Sequence, residues 1–355
     1  MEFLPANWAY QLAPTQGFRT FLKFPESSGV TFYEPFQDHI QDKNIDRTQC
    51  MKISPSHLVL EEENKTLGLR FTVEYHSIPE ESFAGIIRNL HITNLNKSDV
   101  AFEGLDGLPL IIPFGIGNFG LKNIRRLMEA FVEVKNYDNK APLFKAKVKP
   151  TDTPDVEVLE RGNFYVGFEN SAKGMQILTP IVDPERIFGA HNDYSYPDSF
   201  LSTPFDQLLD HQAFENRYPS AMGMFSKTLG AGETYTVSSV IGHAESQDAL
   251  NALLPSIMSK DYFSNKAQDS IRISDELTQK NLVVSREPVF DMYVRQNFLD
   301  NVLRGGFPYT FEGKNSKSVL HLYSRKHGDL ERDYNDYRIT PSFYSQGNGN
   351  FRDIN

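Results

Sequence analysis

A single cysteine, Cys50, stands in 355 residues. One thiol excludes an internal disulfide and any metal site built on several cysteines, and it points to a reducing compartment. A lone cysteine of this kind is expected to be a small buried hydrophobe. Positive charge is also scarce: 36 Lys and Arg against 46 Asp and Glu leave a net charge of −10. That field repels phosphate backbones and anionic lipid, so neither nucleic acid nor a membrane surface is an expected partner. No segment approaches the roughly 18 apolar residues of a membrane span. The N-terminal MEFLPANWAYQLAPTQGFRTF has no basic stretch followed by an unbroken apolar one, so the expected location is the cytoplasm. Without export, the sequons Asn64-Lys65-Thr66 and Asn96-Lys97-Ser98 are chance matches. The nine histidines show no HExxH spacing and no GxSxG occurs, which leaves metal-dependent and serine hydrolysis unsupported and predicts no metal.

What the chain does have is large apolar side chains. Phe (27) and Tyr (16) are plentiful beside one Trp, and 39% of residues are hydrophobic, enough to fill a core. The length exceeds what one core usually serves, so two units are expected.

From about residue 17 to 243 the dominant signal is apolar/polar alternation broken by turn residues. Leu69-Arg70-Phe71-Thr72-Val73-Glu74-Tyr75 reads as a strand with one wet face. Similar runs at His57–Leu60, Ile86–Thr93, Phe164–Phe168, Met175–Ile181 and Thr234–Ile241 predict many short strands, hence a large two-sheet sandwich. The pattern changes after His243. Ser246–Ser259 places Leu250, Leu253, Leu254 and Ile257 on one helix face, with Pro255 expected to kink or end it. Ser264–Lys280 reads as a partly solvated linker anchored by Ile271, Ile273 and Leu277. Glu287–Leu303 predicts a helix that starts near Pro288 and stops at Gly305-Gly306. The remainder reads as loop-rich.

Gly115-Ile116-Gly117-Asn118-Phe119-Gly120 matches the dinucleotide fingerprint, which raises an oxidoreductase. The chemistry needs a buried parallel strand ahead of the loop, and Pro109 and Pro113 interrupt that strand. A glycine-rich loop between sandwich strands is the expected reading. The run Arg325–Asp333 reads as a solvated, ion-paired face. His191-Asn192-Asp193-Tyr194-Ser195-Tyr196-Pro197-Asp198 has aromatic and acidic groups that suit a sugar, although an ordinary surface turn explains it too. Ser345-Gln346-Gly347-Asn348-Gly349-Asn350-Phe351-Arg352-Asp353 combines glycines that admit a ligand close to the backbone with donors and acceptors suited to a polyol.

Tyr344 to Asp353 resembles the start of the catalytic barrel in inverting glycoside phosphorylases of the cellobiose phosphorylase type. Leu105-Asp106-Gly107-Leu108-Pro109 and Glu129-Ala130-Phe131-Val132-Glu133-Val134 are similar to strand segments of that family's N-terminal supersandwich. The Ser-Gln-Gly-Asn-Gly-Asn-Phe-Arg-Asp form departs from the usual Gly-Phe-Arg-Asp-Gln and looks closer to the β-1,3-glucan phosphorylase branch.

The resemblance implies a mainly β fold: a galactose mutarotase-like β-supersandwich over 1–245, a helical linker over 246–283, and over 284–355 the truncated start of an (α/α)6 six-hairpin barrel. It implies substrate contacts by Arg352 and Asp353, with Gln346 and Asn350 beside them, and a catalytic carboxylic acid beyond this chain. Substrates would be a β-linked glucooligosaccharide and inorganic phosphate as co-substrate. No organic cofactor is implied, and the sandwich would mediate homodimer contacts. A non-catalytic carbohydrate-binding sandwich and a six-hairpin glycoside hydrolase are the alternatives.

Overall fold

The computed structural model describes residues 12, 15–26, 29–37, 44–151, 154–171, 174–259, 261–279, 282–305, 307–323 and 338–341. They fall in two compact units, Pro5–Ser270 and one built on Ile271–Asn355. The first unit carries β1 (Arg19–Glu26), β2 (Gly29–Tyr33), β3 (Arg47–Ile53), β4 (His57–Asn64), β5 (Leu69–Ser77), β6 (Gly85–Asn94) and β7 (Val100–Leu108). After the short helices α1 (Asn118–Asn123) and α2 (Arg125–Glu129) come β8 (Val132–Lys135), β9 (Leu143–Ala146), β10 (Gly162–Ser171), β11 (Gly174–Ile177) and β12 (Pro180–Ile181). An excursion holding α3 (Glu185–Phe188) and α4 (Asp198–Ser202) precedes β13 (Ala221–Leu229) and β14 (Thr234–Ala244). Helices α5 (Gln247–Ile257) and α6 (Tyr262–Thr278) follow, the latter running across the boundary between the units.

The fold is mainly β. A five-stranded sheet has the order β12-β13-β7-β1-β2, and a nine-stranded sheet has the order β3-β4-β5-β6-β14-β10-β9-β8 with β11 on β10. Period-2 alternation sorts each strand between two environments. Leu22, Phe24, Phe102 and Phe225 of the smaller sheet meet Leu69, Phe71, Val73, Leu90, Ile92 and Val237 of the larger one in the inter-sheet core. The opposite faces are also covered. Phe21, Leu105 and Met222 lie under Ile187, Phe188 and Phe200 of the excursion, while Ile87, Phe164, Val166, Phe168 and Val240 lie under Leu250, Leu254 and Ile257 of α5 and Tyr262 of α6. Burial on both faces explains why Phe164-Tyr165-Val166-Gly167-Phe168 loses strict alternation. Gly107 is required where β7 meets β13: its φ is 151°, and a Cβ there would sit 2.0 Å from the Ala221 carbonyl oxygen.

A buried ionic network joins the sheets. Arg88 on β6 donates from Nη2 to Asp106 Oδ1 on β7 at 2.8 Å and to Thr20 Oγ1 on β1 at 2.8 Å, and from Nη1 to the Tyr75 hydroxyl at 2.6 Å. Thr20 donates to Asp106 Oδ1 at 2.6 Å, and the Tyr165 hydroxyl donates to the Asp106 carbonyl at 2.7 Å. The side chains of Arg88 and Asp106 are 3% and 0% exposed, so each ion depends on the other for the solvation it has lost.

Most expected strands are present. The helix predicted over Ser246–Ser259 forms as α5, with Ser246 capping it by accepting from the Ala249 amide at 3.1 Å. Pro255 lies inside that helix, which ends at Ile257 within the next turn. Cys50 corrects its expectation: it is exposed, on edge strand β3, where residues after Arg47 have no covering layer. The two sequon asparagines serve the turns that join strands. Asn64 is fully buried and accepts from the Leu67 amide at 2.9 Å, while Asn96 donates to the Leu67 and Gly68 carbonyls at 2.9 and 3.1 Å.

The second unit holds α7 (Pro288–Gly305) and a three-stranded antiparallel sheet of β15 (Phe307–Glu312), β16 (Lys317–Tyr323) and β17 (Arg338–Pro341). The sheet replaces the loop-rich passage expected from the sequence. A turn closed by the Gly313 amide on the Ser316 carbonyl at 2.8 Å brings two alternating runs into a hairpin. On α7, Arg295 pairs with Asp275 and donates to Thr278 Oγ1 at 2.8 Å. Val289, Phe290, Met292 and Tyr293 are exposed. No helix among the described residues is long and apolar enough to cross a membrane.

Removing one partner of the inter-sheet network, by Asp106→Asn or Arg88→Met, is expected to destabilise the fold by about 3–5 kcal/mol in urea denaturation. A loss below about 1 kcal/mol would show that the pair is dispensable. A second prediction concerns His76, which is 3% exposed and stacked on His57 with centroids 5.2 Å apart. Among the described residues neither of its ring nitrogens has a partner at full hydrogen-bond geometry, and the Phe263 backbone nearby offsets the burial only in part. Burial, then the neighbouring His57 charge, pushes its pKa down to about 4 from 6.5. The unfolded chain therefore binds more protons between these values, and stability falls as pH drops from about 6.5 towards 4. His76→Phe should remove on the order of 2 kcal/mol of the loss seen between pH 7 and pH 4.5; an unchanged pH slope would reject the assignment.

Candidate functional site

Gln346, Asn350, Arg352 and Asp353, the substrate contacts implied by resemblance, lie outside the described residues, as does the charged run Arg325–Asp333. Among the described residues a concavity rich in polar groups lies between α2 and the excursion that joins β12 to β13. There α2, α3 and the loop after α3 enclose a cleft of about 300 Å³. The loop that reads as sugar-compatible in the sequence, His191–Asp198, supplies His191, Asn192 and Tyr194 to its lining.

The cleft is built from strand β1 outward. Residues Thr20, Leu22 and Phe24 face the inter-sheet core, so alternation turns Arg19, Phe21 and Lys23 to the opposite face, under the excursion. Arg19 forms a fork with Glu34, Nε to Oε1 at 2.6 Å and Nη2 to Oε2 at 2.8 Å. The same guanidinium donates to the carbonyls of Tyr194 and Ser195. Lys23 donates to the carbonyls of Phe200 and Thr203 at 3.2 and 3.3 Å and pairs with Glu103 at 3.0 Å. Two buried cations on one strand thus hold the excursion by its backbone oxygens, each with its own carboxylate.

At the base of the excursion Gln212 Oε1 accepts from the Val182 amide at 2.7 Å, and Asp183 accepts from the Glu185 and Ala213 amides at 3.0 Å each. Arg217 closes this corner by pairing with both Asp183 and Glu185 at 2.7 Å. On the facing wall Arg126 pairs with Glu129 at 3.3 Å. Arg125 stands over the Tyr218 ring with its guanidinium carbon 5.4 Å from the centroid, and no carboxylate of the described residues lies within ion-pair distance of it. Tyr194 completes the wall against Phe188, with ring centroids 5.0 Å apart. Burial pushes its hydroxyl pKa above the ordinary value, with the Arg125 charge pulling the other way. Its φ is 56°, a left-handed conformation that is uncommon for a bulky residue and persists only where surrounding contacts impose it. Arg19 on its carbonyl is such a contact.

This arrangement can bind. Glu129 and Glu185 are held by arginines, and a carboxylate so held accepts hydroxyl hydrogen bonds. No group of three His, Cys, Asp or Glu side chains among the described residues could hold a metal ion. The glycine-rich Gly115–Gly120 segment lacks the βαβ setting of the dinucleotide fingerprint: every ladder between named strands is antiparallel. Phe114 touches Lys145 only in an isolated bridge, and the following helix breaks at Ile124 into α1 and α2. Sequence reading missed Arg125, Arg126, Glu129, Glu185 and Arg217. Their single signal is the Arg125-Arg126 pair, unremarkable until folding sets it opposite residues about sixty positions away.

If Arg19 holds the excursion, Arg19→Gln should raise amide hydrogen exchange across Tyr194–Tyr196 by at least about tenfold while strands β5 and β6 stay protected. Equal protection in both forms would mean that the loop holds itself.

No family model and no curated protein matches this sequence. Among solved structures, a polysaccharide lyase is similar at 11% identity and a TM-score of 0.34 over 66% of this chain and 27% of its own. A family GH92 α-mannosidase from Bacteroides thetaiotaomicron is similar at 12% identity and a TM-score of 0.28 over 76% of this chain and 31% of its own. The chain therefore spans less than a third of either of these carbohydrate-active enzymes, and both scores lie below the level at which a common fold follows.

Proposed function

We propose that this chain is the N-terminal part of an inverting glycoside phosphorylase acting on β-linked glucosides or glucooligosaccharides. The observation that carries the reading is the order of parts: an antiparallel sandwich through Ala244, helices between Gln247 and Gly305, a small sheet over Phe307–Pro341, and then the Tyr344–Asp353 run that resembles the donor-sugar segment of that family. In this reading Arg352 and Asp353 grip the donor sugar, Gln346 and Asn350 assist, and the catalytic carboxylic acid belongs to a later part of the protein. The barrel to which residues 284–355 would belong, and a homodimer through the sandwich, are parts of the same proposal.

The chemistry asks little of the protein in covalent terms. A phosphate oxygen attacks the anomeric carbon as the glycosidic C–O bond breaks, and one carboxylic acid gives its proton to the leaving oxygen. Phosphate takes the place of both the water and the general base of an inverting hydrolase, and the product is α-glucose 1-phosphate. Hydrogen bonds to the sugar hydroxyls strengthen as charge develops on the ring, so donor contacts act on the rate as well as on binding.

The test is release of α-glucose 1-phosphate from β-glucooligosaccharides plus phosphate by the chain together with whatever follows it in its gene. Asp353→Asn should cost on the order of 2 kcal/mol in transition-state stabilisation, roughly thirtyfold in kcat/KM. Glucose release independent of phosphate would favour a six-hairpin hydrolase instead. The arginine-held cleft favours a second reading, a carbohydrate-binding sandwich without catalysis, for which glycan binding with no turnover is the expected result.

A further inference from the structure

We propose that the cleft between α2 and α3 binds an acidic saccharide, a sugar unit that carries one carboxylate, with Arg125 taking the carboxylate and the Glu185 side taking hydroxyls. The site lies wholly within Pro5–Ser270 and is separate from the donor-sugar residues proposed above, so it stands or falls apart from phosphorolysis.

The charge layout selects the ligand. Arg126 is matched by Glu129, and Arg217 by two carboxylates, Asp183 and Glu185. Counting these pairs with Arg125 gives three positive and three negative groups, but they are not evenly spread. Among the described residues the Arg125 end carries a guanidinium with no carboxylate partner, and the Glu185 end carries one negative charge more than Arg217 balances. A molecule with an anion at one end and hydroxyl donors at the other complements that polarity. A guanidinium presents parallel N–H donors to a planar carboxylate. A phosphate monoester brings about −1.5 to −2 charges to a site with one spare cation and places the surplus near Glu185. In a chain of net charge −10, an arginine that faces a cleft with no carboxylate partner among the described residues is a local exception to the field of the whole molecule.

The other groups fit a sugar ring. Tyr194, backed by the buried Phe188 ring, supplies aromatic surface for its apolar face, and Asn192 and Glu185 supply acceptors for hydroxyls. Placement is prepared in advance: Tyr194 keeps its left-handed backbone because buried Arg19, fixed by Glu34, holds its carbonyl. A volume of about 300 Å³ sits at the small end of ligand sites, which suits one ring of a longer glycan better than several.

The experiment titrates the full chain by calorimetry with a glucuronate-containing β-linked disaccharide, with cellobiose and with glucose 1-phosphate. The acidic disaccharide should bind at least about tenfold tighter than cellobiose and more weakly as salt is raised. Arg125→Gln should abolish that preference with an unchanged melting temperature, because Arg125 is exposed. Arg70→Gln, the same charge change on distant β5, should leave it intact. Amide shift changes in the wild type should centre on Arg125, Asn192 and Tyr194. Equal affinity for cellobiose, tighter binding of glucose 1-phosphate, equal loss in both arginine variants, or no binding at millimolar concentration would each overturn the proposal.

Discussion

The buried contact of Arg88 with Asp106 and Thr20 is the constraint from which the rest of the first unit follows. It links β6 of the larger sheet to β7 and β1 of the smaller one inside the core, where a one-residue slip of any of these strands would leave an ion without its partner. A slip would also turn every side chain to the other face. Fixing Thr20 inward fixes Arg19 outward, because successive strand residues point to opposite sides. Outward Arg19, paired with Glu34, then holds the carbonyls of Tyr194 and Ser195. The position of the cleft wall is thus connected through two adjacent residues to the registry of the whole sandwich.

The same logic accounts for the covering layers. Both sheets are apolar on both sides over part of their area, and neither can leave its outer face to water. The smaller sheet recruits the excursion between β12 and β13, and the larger recruits α5 and the first half of α6. The two solutions differ in character. Helices α5 and α6 bury an aliphatic and aromatic stripe in the ordinary way. The excursion is short on regular structure, and its backbone groups are satisfied by side chains from the sheet beneath, Arg19 and Lys23 among them. Irregular backbone held by a rigid scaffold is where polar side chains can be aimed at a ligand.

The sheet regions were legible because their signal is local. Alternation in Leu69–Tyr75 and the apolar spacing of Leu250, Leu254 and Ile257 each report one buried face within a dozen residues. Cys50 was misjudged because burial depends on what lies beyond the strand, and β3 is an edge that no layer covers. The hairpin of β15 and β16 was missed because its runs are short and polar at one end, so the turn at Gly313–Ser316 decides it.

By itself the sequence determined the mainly β class of the fold and the change from strands to helices after His243, since hydrophobic period, turn residues and capping are properties of neighbouring positions. It also excluded a disulfide within the chain and metal sites built on several of its own cysteines, because composition alone limits those. Tertiary structure alone decided the cleft. Arg125 and Glu129 meet Glu185, Tyr194 and Arg217 only after two segments separated by five strands fold against one another, and no spacing rule connects residues so far apart. Ion pairing and convergence are three-dimensional quantities, set by sheet registry and by the cations of β1 that pull the excursion down onto it.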